Sequence, residues 1–229
     1  MSHDTQRRSG QLRGNLAIQP RSVLRAPYST APVCRSRAAR IRQYAQVETR
    51  TDRLSLRRWD PDDDADVRTA FDIYRRTAVV EWLSRPPQPL EAESEARARM
   101  RRWVGMAVDR PGFGMWAVVP DVVGVPVGTV LLLLLLVGGV MTEDVEIGWH
   151  FHPDHWGNGY ASEAARAVLG HAFHDLGFPV VNALAYAGNT ASFAVMRRLG
   201  MTYRGTNDRW YGKSFEWWTA ERLSPALHQ

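Results

Sequence analysis

The chain has 229 residues, of which 45% are hydrophobic and nine are tryptophan, and its formal net charge is +5. This length suits one domain with a substantial core, and the composition excludes a chain that is disordered throughout. The positive charge is local, because residues 1–50 hold ten arginines against Asp4 and Glu48, a balance of +8. The body of the chain is therefore mildly acidic, at −3.

Cysteine and lysine are both nearly absent. The single cysteine, Cys34, has no partner for an internal disulfide, which favours a reducing cytoplasm and excludes a disulfide-stabilised scaffold. Lys213 is the only lysine, so almost every basic residue is arginine. This bias is typical of a GC-rich, bacterial genome. We expect a cytoplasmic bacterial protein.

Residues 1–48 mix Arg, Ser, Pro and Gly with no sustained apolar period and no continuous apolar segment of a secretory signal. We expect a disordered Arg-rich leader, or an upstream start that was wrongly assigned. Two alternatives stay open: an arm that contacts RNA or another anionic surface weakly, and an organellar transit peptide. The expected domain covers residues 49–222, and residues 223–229 form a tail.

The first part of this domain predicts one strand and two helices. Leu54–Trp59 alternates apolar and charged residues, as a half-buried strand does. Asp60 and Pro61 suit the N-cap and first position of a helix that ends near Arg76. After a proline-rich break, a second helix is predicted over about Leu90–Val108.

The apolar stretch Val122–Val140 is as long as a membrane span, but glycines and a proline interrupt it. Its uninterrupted part is Thr129–Val137, which as a helix would reach only about 14 Å. We therefore predict a buried strand and no membrane segment. Three strands are predicted in this region: Phe113–Val119, Val127–Val137 and Val145–Phe151.

The C-terminal part alternates helices and strands. Apolar residues at helical spacing predict a helix over about Ala161–His174, and Asn189 caps a short helix that ends at Gly200. The remaining predicted strands are Val180–Tyr186, Met201–Arg204 and Ser214–Thr219. The order β-αα-βββ-α-β-α-ββ predicts a single-domain α/β fold with a mixed sheet.

The loop between the predicted strand Val145–Phe151 and the next helix has the features of a phosphate-binding site. Gly157 and Gly159 allow a tight turn and a close approach of the backbone to a ligand. The free N–H groups at the start of a helix then favour an anion. No Gly-Lys-Ser/Thr follows, which excludes a P-loop, and the third glycine of a dinucleotide fingerprint is absent.

Two blocks of sequence resemble the GNAT N-acetyltransferases, in particular the RimJ/RimL type that acetylates N-terminal amines of ribosomal proteins. The first block runs from Val145 to Phe151, continues through Pro153, and includes Trp156–Ala164. The second block comprises Asn189–Ser192 and Arg198–Met201. The resemblance is firm over about residues 113–205.

This resemblance implies a seven-stranded, mostly antiparallel sheet whose fourth and fifth strands splay apart, with acetyl-CoA as co-substrate and no metal. The pantetheine arm would pair with the main chain of the fourth strand, and the pyrophosphate would bind the amides of the glycine loop. Trp156 stands where the family pattern has Gln or Arg, which removes one polar contact. The implied binding residues are Trp149, His150, Phe151, Gly157, Asn158, Gly159, Tyr160, Ala161 and Asn189.

The resemblance also implies a direct attack of a primary amine on the thioester. Glu146 is the candidate base, acting directly or through water, and it needs a raised pKa because an ordinary Glu is a weak base. Many relatives carry a Tyr as the acid seven residues after the Asn, where this chain has Met196. Ser192 is the substitute candidate. His150, His152 and His155 are close in sequence, but we expect no metal site.

Two other functions stay open. The domain could bind acyl-CoA without catalysis, as a regulatory module, or the leader could tether an acetyltransferase to RNA or the ribosome. The acceptor is open among protein N-termini, aminoglycosides, amino acids and polyamines. We expect a monomer or a homodimer.

Overall fold

The computed structural model of the protein describes residues 49–222. The strands are β1 (Thr49–Arg50), β2 (Leu54–Arg58), β3 (Gly114–Pro120), β4 (Gly128–Val137), β5 (Val140–Phe151), β6 (Val180–Ala185), β7 (Thr202–Asn207) and β8 (Phe215–Glu221). The α-helices are α1 (Asp64–Tyr74), α2 (Thr77–Val80), α3 (Glu93–Asp109), α4 (Tyr160–Gly170) and α5 (Thr190–Arg198). A 3-10 turn covers Pro153–His155, and a π-helical turn, His171–Asp175, extends α4.

The predicted order of elements is confirmed, with two short additions. The strand β1 pairs with the edge of β2, so the sheet has eight strands where the resemblance implied seven. The helix α2, a single turn, lies between the predicted end of the first helix near Arg76 and the proline-rich break, where no element was predicted. The predicted helix over Ala161–His174 is α-helical only to Gly170 and continues as the π-helical turn.

Strand β5 is longer than predicted, because it begins at Val140 instead of Val145. Gly138 and Gly139 have φ angles of +57° and +80°, which is the geometry of a two-residue hairpin turn between β4 and β5. The apolar stretch Val122–Val140 thus contains β4, as predicted. Within residues 49–222, no helix is both long and apolar enough to cross a membrane.

The sheet has the strand order β1-β2-β3-β4-β5-β6-β8-β7, and every neighbouring pair except β5 with β6 is antiparallel. Strands β5 and β6 run parallel and are in register only at Glu146 and Asn182. The Asn182 side chain joins β6 to β5, since it donates to the carbonyl of Val145 at 3.0 Å, and it also accepts from the Trp217 indole of β8 at 2.8 Å. Beyond this point the strands diverge, which forms the predicted V between the fourth and fifth long strands.

Apolar side chains fill both faces of the sheet, as the alternation of β4 illustrates. Val130 and Leu132 are fully buried in a cluster with the apolar side of α4. Leu131 points the other way, into a cluster with Met100 of α3 and Trp59. A strand that is buried on both faces has a continuous apolar sequence, and this explains the run of leucines. The two layers of helices leave the V open at the C-terminal ends of β5 and β6.

Candidate active site

Two adjoining cavities occupy the V between β5 and β6. The first, of about 700 Å³, is called the sheet-side cavity, and its wall includes Glu146 and Tyr211. The second, of about 600 Å³, is called the loop-side cavity, and its wall includes the glycine loop. The residues that line both are Trp82, Leu83, Trp149, His150, Asn189 and Ser192. The cavities therefore meet at the C-terminal end of β5 and the first turn of α5.

The glycine loop ends at the N-terminus of α4. Gly157 and Gly159 have φ angles of +81° and +79°, and Gly159 is the N-cap of the helix. No side chain caps this helix, so the N–H groups of its first turn stay free for an anion. The predicted residues Gly157, Gly159, Tyr160 and Ala161 all line the loop-side cavity.

Asn158 differs from the other predicted loop residues, because it is absent from the lining of either cavity. Its side-chain amide donates to the carbonyls of His155 and Trp156, and its own carbonyl accepts from Arg53. Trp156 donates its indole N–H to the carbonyl of Phe151 at 2.8 Å. Both side chains therefore shape the loop, and Trp156 fastens it to the end of β5.

Two further residues at the start of α4 were not predicted. The hydroxyl of Ser162 is buried at the wall of the loop-side cavity and has no hydrogen-bond partner within residues 49–222. A buried hydroxyl without a partner is unfavourable, which points to a polar ligand in this cavity. Glu163 accepts from the Thr51 hydroxyl at 2.6 Å and from the Arg53 side chain at 2.8 Å. These bonds fix the helix start to the segment before β2.

Glu146 lies in the sheet-side cavity, where the hydroxyl of Tyr211 donates to its carboxylate at 2.6 Å. Burial raises the pKa of Glu146 to about 7, and the hydrogen bond from Tyr211 opposes this rise. A carboxylate with a pKa near neutrality can accept a proton from an amine far better than an ordinary Glu. The raised pKa that the candidate base required is thus present.

Tyr211 reaches Glu146 from the loop between β7 and β8, 65 residues away in sequence. Its N–H donates to the carbonyl of Leu136 at 2.9 Å, and its backbone adopts the left-handed region with φ +56°. The neighbouring Trp210 is buried and donates its indole N–H to Asp144 at 3.1 Å. The loop is therefore fastened to both β4 and β5, on the side of Glu146 that faces their hairpin turn.

We predict that Tyr211→Phe raises the pKa of Glu146 above about 7. The hydroxyl stabilises the charged carboxylate, so its removal favours the neutral acid and moves the titration to higher pH. A hydrogen bond to a charged group contributes about 1.5–3 kcal/mol. Because Tyr211 is partly exposed, we expect the lower part of this range, so the Glu146 pKa should rise by about one pH unit. Infrared titration of the carboxyl band measures it.

Tyr203→Phe is the matched control, because Tyr203 also donates to a carboxylate, that of Glu216, but lies outside both cavities. It should leave the Glu146 titration unchanged. An unchanged or lower Glu146 pKa in Tyr211→Phe would show that the tyrosine does not stabilise the charged form.

His150 lies where the two cavities meet, and its ring is within hydrogen-bond distance of another side chain of the protein. Its Nδ1 is 3.2 Å from the hydroxyl of Tyr74, which donates to Thr129 at 2.8 Å. Burial, assisted by the charge of Arg99, lowers the pKa of His150 to about 4. The imidazole is therefore neutral near pH 7. Within residues 49–222, no group of three or more His, Cys, Asp or Glu side chains could hold a metal ion.

Ser192 and Asn189 lie together at the start of α5. The Asn189 side chain accepts from the Ser192 N–H at 3.1 Å, so Asn189 is the N-cap, and both residues line both cavities. Met196 is buried and borders the sheet-side cavity with an apolar side chain. Tyr186 borders the same cavity, and its hydroxyl has no partner in the described part of the chain. Ser192 thus joins Glu146 and the loop in one continuous site.

Comparison with known proteins shows similarity to acetyltransferases. A family model described as "Acetyltransferase (GNAT) domain" matches residues 53–202. Two Bacillus subtilis proteins are similar over shorter segments. The uncharacterized protein YkkB is 47% identical over 66 residues, which are 29% of this chain and 38% of that protein. The uncharacterized N-acetyltransferase YnaD is 38% identical over 73 residues, 32% of this chain and 43% of that protein. The chain therefore spans less than half the length of these curated relatives.

Among solved structures, RimL, a ribosomal L7/L12 alpha-N-protein acetyltransferase in complex with coenzyme A, has a similar fold. The TM-score is 0.59 at 15% identity, over 75% of this chain and 95% of that chain. At this identity the likeness concerns the fold.

Proposed function

The chain belongs to the GNAT acetyltransferase family, and we propose that it is an enzyme that moves an acetyl group from acetyl-CoA to a primary amine. The observation that carries this proposal is Glu146, a carboxyl group with a pKa of about 7 in one of two adjoining cavities. The other cavity has the positive end of a helix at its wall. The site thus offers an anion-binding wall on one side and a base on the other.

The loop-side cavity fits the pyrophosphate and pantetheine of acetyl-CoA. The amides of Gly157, Gly159, Tyr160 and Ala161 would bind the pyrophosphate, helped by the dipole of α4. The buried hydroxyl of Ser162 would gain the partner that it lacks. The arm would then follow β5 along Trp149, His150 and Phe151 to the meeting point of the cavities.

The reaction would be a direct attack. The amine nitrogen attacks the thioester carbonyl carbon, and its proton passes to Glu146, directly or through a water molecule. Main-chain N–H groups of β5 stabilise the developing oxyanion. The carbon–sulfur bond then breaks, and the leaving thiolate takes a proton from solvent, either directly or through the Ser192 hydroxyl, which passes one proton on and accepts another from solvent. A thiol pKa near 8.5 makes this last proton transfer the less demanding of the two.

The acceptor amine includes, in this proposal, the α-amino group of a protein chain. Such a group titrates near 7.7–8.0, so a useful fraction is neutral near pH 7. A base whose pKa is about 7 suits the removal of its proton during attack.

Turnover tests this proposal against the alternative of a non-catalytic acyl-CoA-binding module. The purified chain is mixed with acetyl-CoA and amines, and the released thiol and the N-acetyl product are measured together. We expect thiol release that requires amine, with one acetyl product per thiol. Tight binding of acetyl-CoA without any product would support the regulatory module instead.

The Arg-rich leader, residues 1–48, lies outside the described residues, and we predict that the domain does not need it for catalysis. The residues that line the two cavities, and Thr51, all lie between positions 51 and 215. A chain that starts at Thr49 should therefore keep its affinity for acetyl-CoA, its melting temperature and its turnover. A fall of several degrees, or lost turnover, would contradict this.

The same truncation tests the tethering alternative. The nine arginines of residues 1–48 would bind RNA through phosphate contacts that weaken as salt rises. If the leader is a tether, the full chain should be retained on an RNA column at low salt and the truncated chain should not. Equal retention of both chains at every salt concentration would contradict a tether.

A further inference from the structure

The sheet-side cavity, in which the proposed function places the acceptor, is bordered mainly by apolar side chains. They come from six separate places in the fold: the α2–α3 connection, β4, β5, β6 with the residue after it, α5 and the start of β8. Its large apolar and aromatic residues include Trp82, Leu133, Leu136, Trp149, Met196 and Phe215. Such a wall favours an apolar ligand body, because burial releases water from both surfaces.

The charges of this cavity are few. Among its described lining residues, Glu146 is the only acidic side chain and Lys213 the only fully basic one. His150 adds no positive charge near pH 7, because burial lowers its pKa to about 4. One carboxyl group and one ammonium group, those of Glu146 and Lys213, therefore border this space.

This balance selects against acceptors with several amines. A single carboxyl group can attract and deprotonate one amine, and any further ammonium would be buried without a counter-charge, which is unfavourable. Lys213 would also repel it. Polyamines and aminoglycosides carry several ammonium groups, so their extra charges have no partner in this wall.

We propose that the acceptor has a single amine attached to an aromatic or branched aliphatic group. This inference rests on the proposed function, since it assigns the sheet-side cavity to the acceptor. The amine lies at Glu146, and the apolar body contacts the leucines of β4 and the aromatic rings of Trp82 and Phe215. The same chemistry occurs in a small apolar monoamine and in the first residue of a protein chain.

The test compares amines that differ by one charge. Hexylamine and 1,6-diaminohexane have the same length, and only the second carries another ammonium group. With the full chain and acetyl-CoA, we expect kcat/KM for hexylamine to exceed that for the diamine at least tenfold. The panel adds 2-phenylethylamine, the peptide Phe-Gly-Ser with an amidated C-terminus, spermidine and kanamycin. Of these, 2-phenylethylamine represents a small apolar amine and the peptide represents the first residue of a protein chain, so their relative rates show which kind of acceptor the site prefers.

The outcomes separate the two proposals. If the diamine, spermidine or kanamycin is acetylated as fast as hexylamine or faster, the acetyltransferase activity stands and the monoamine inference is wrong. If no amine in the panel is acetylated although acetyl-CoA binds, the acetyltransferase activity itself fails, and this inference fails with it. A preference for the peptide or for phenylethylamine over every polyamine supports the inference.

A variant designed to change the preference between the monoamine and the diamine gives a second test. Leu133 lies directly across from Glu146 on the neighbouring strand β4 and is partly exposed to the cavity. Leu133→Asp adds a second carboxylate there, and Leu133→Asn is the matched control of equal size without charge. We expect the Asp variant to raise the ratio of diamine to hexylamine kcat/KM at least tenfold over the Asn variant. Equal ratios in the two variants would contradict the charge argument.

Discussion

Glu146→Gln is expected to lower kcat by at least 100-fold while the affinity for acetyl-CoA stays nearly unchanged. The substitution keeps the size of the side chain but removes its ability to accept a proton, and general bases typically contribute 10²–10⁴-fold. Glu146 borders the sheet-side cavity and is absent from the wall of the loop-side cavity. The binding of acetyl-CoA, measured by calorimetry, should therefore be insensitive to the change.

The pH profile adds an independent check. In the wild-type chain, the carboxyl group is a base only when ionised, so activity should rise with pH through about 7, where Glu146 titrates. In Glu146→Gln this step should be absent, and the residual rate should climb only as the amine itself becomes neutral, near 8 for an α-amino group. Ser192→Ala should lower kcat less, because a thiolate leaves without much assistance.

A different result would change the role of Glu146. If Glu146→Gln keeps a near-normal kcat and raises only the KM for the amine, then the carboxylate attracts a cationic substrate without taking its proton. Asp144→Asn is a useful comparison, because Asp144 lies on the same strand two residues earlier and is bonded to Trp210 and Arg209. It should affect stability through the β7–β8 loop more than it affects the chemical step.

The candidate site was predictable where the chemistry depends on a local pattern. The two glycines before α4 and the Asn189 cap are local features, and both have the predicted geometry. The family that they indicated is confirmed by the match over residues 53–202. Glu146 could be proposed as the base from its position on the strand. Its raised pKa could not be predicted, because side chains from several elements around the V between β5 and β6 determine how deeply Glu146 is buried.

Tyr211 could not be predicted. Its position next to Glu146 depends on the pairing of β7 with β8 and on the hydrogen bonds of their connecting loop to Leu136 and Asp144. No residue near Tyr211 in sequence signals a contact with a strand that is 65 residues earlier. The side chain of Asn158 was also not predictable, since it bonds to carbonyls of the loop itself, and the role of the Asn158 backbone amide in binding pyrophosphate stays a prediction.

In the fold, too, some elements could be predicted from local sequence patterns and others could not. Alternation and helical period predicted the long elements, whose side chains are regularly buried on one face or both. The extension of β5 to Val140 had a usable signal, since Gly138-Gly139 between apolar residues is a typical hairpin turn. The two-residue strand β1 and the single turn α2 carry too few residues for any period, and tertiary contacts alone determine them.

Gly159→Val is expected to weaken acetyl-CoA binding at least tenfold, about 1.4 kcal/mol. Gly159 has φ +79°, a conformation that a β-branched residue rarely adopts, and it is the N-cap of the helix whose amides form the proposed pyrophosphate site. The added Cβ would make only an ordinary contact, 3.5 Å from the guanidinium of Arg53, so the strain lies in the backbone. The helix start should therefore move away from the geometry that binds phosphate.

Backbone strain alone would also destabilise the fold, so a control must carry the same strain elsewhere. Gly177→Val provides it, because Gly177 has φ +75°, has nothing within 4 Å of an added Cβ, and lies outside both cavities. We expect the two variants to lose comparable thermal stability, whereas calorimetry should detect weaker acetyl-CoA binding only in Gly159→Val. Equal affinities in both variants and the wild type would place the pyrophosphate away from the glycine loop.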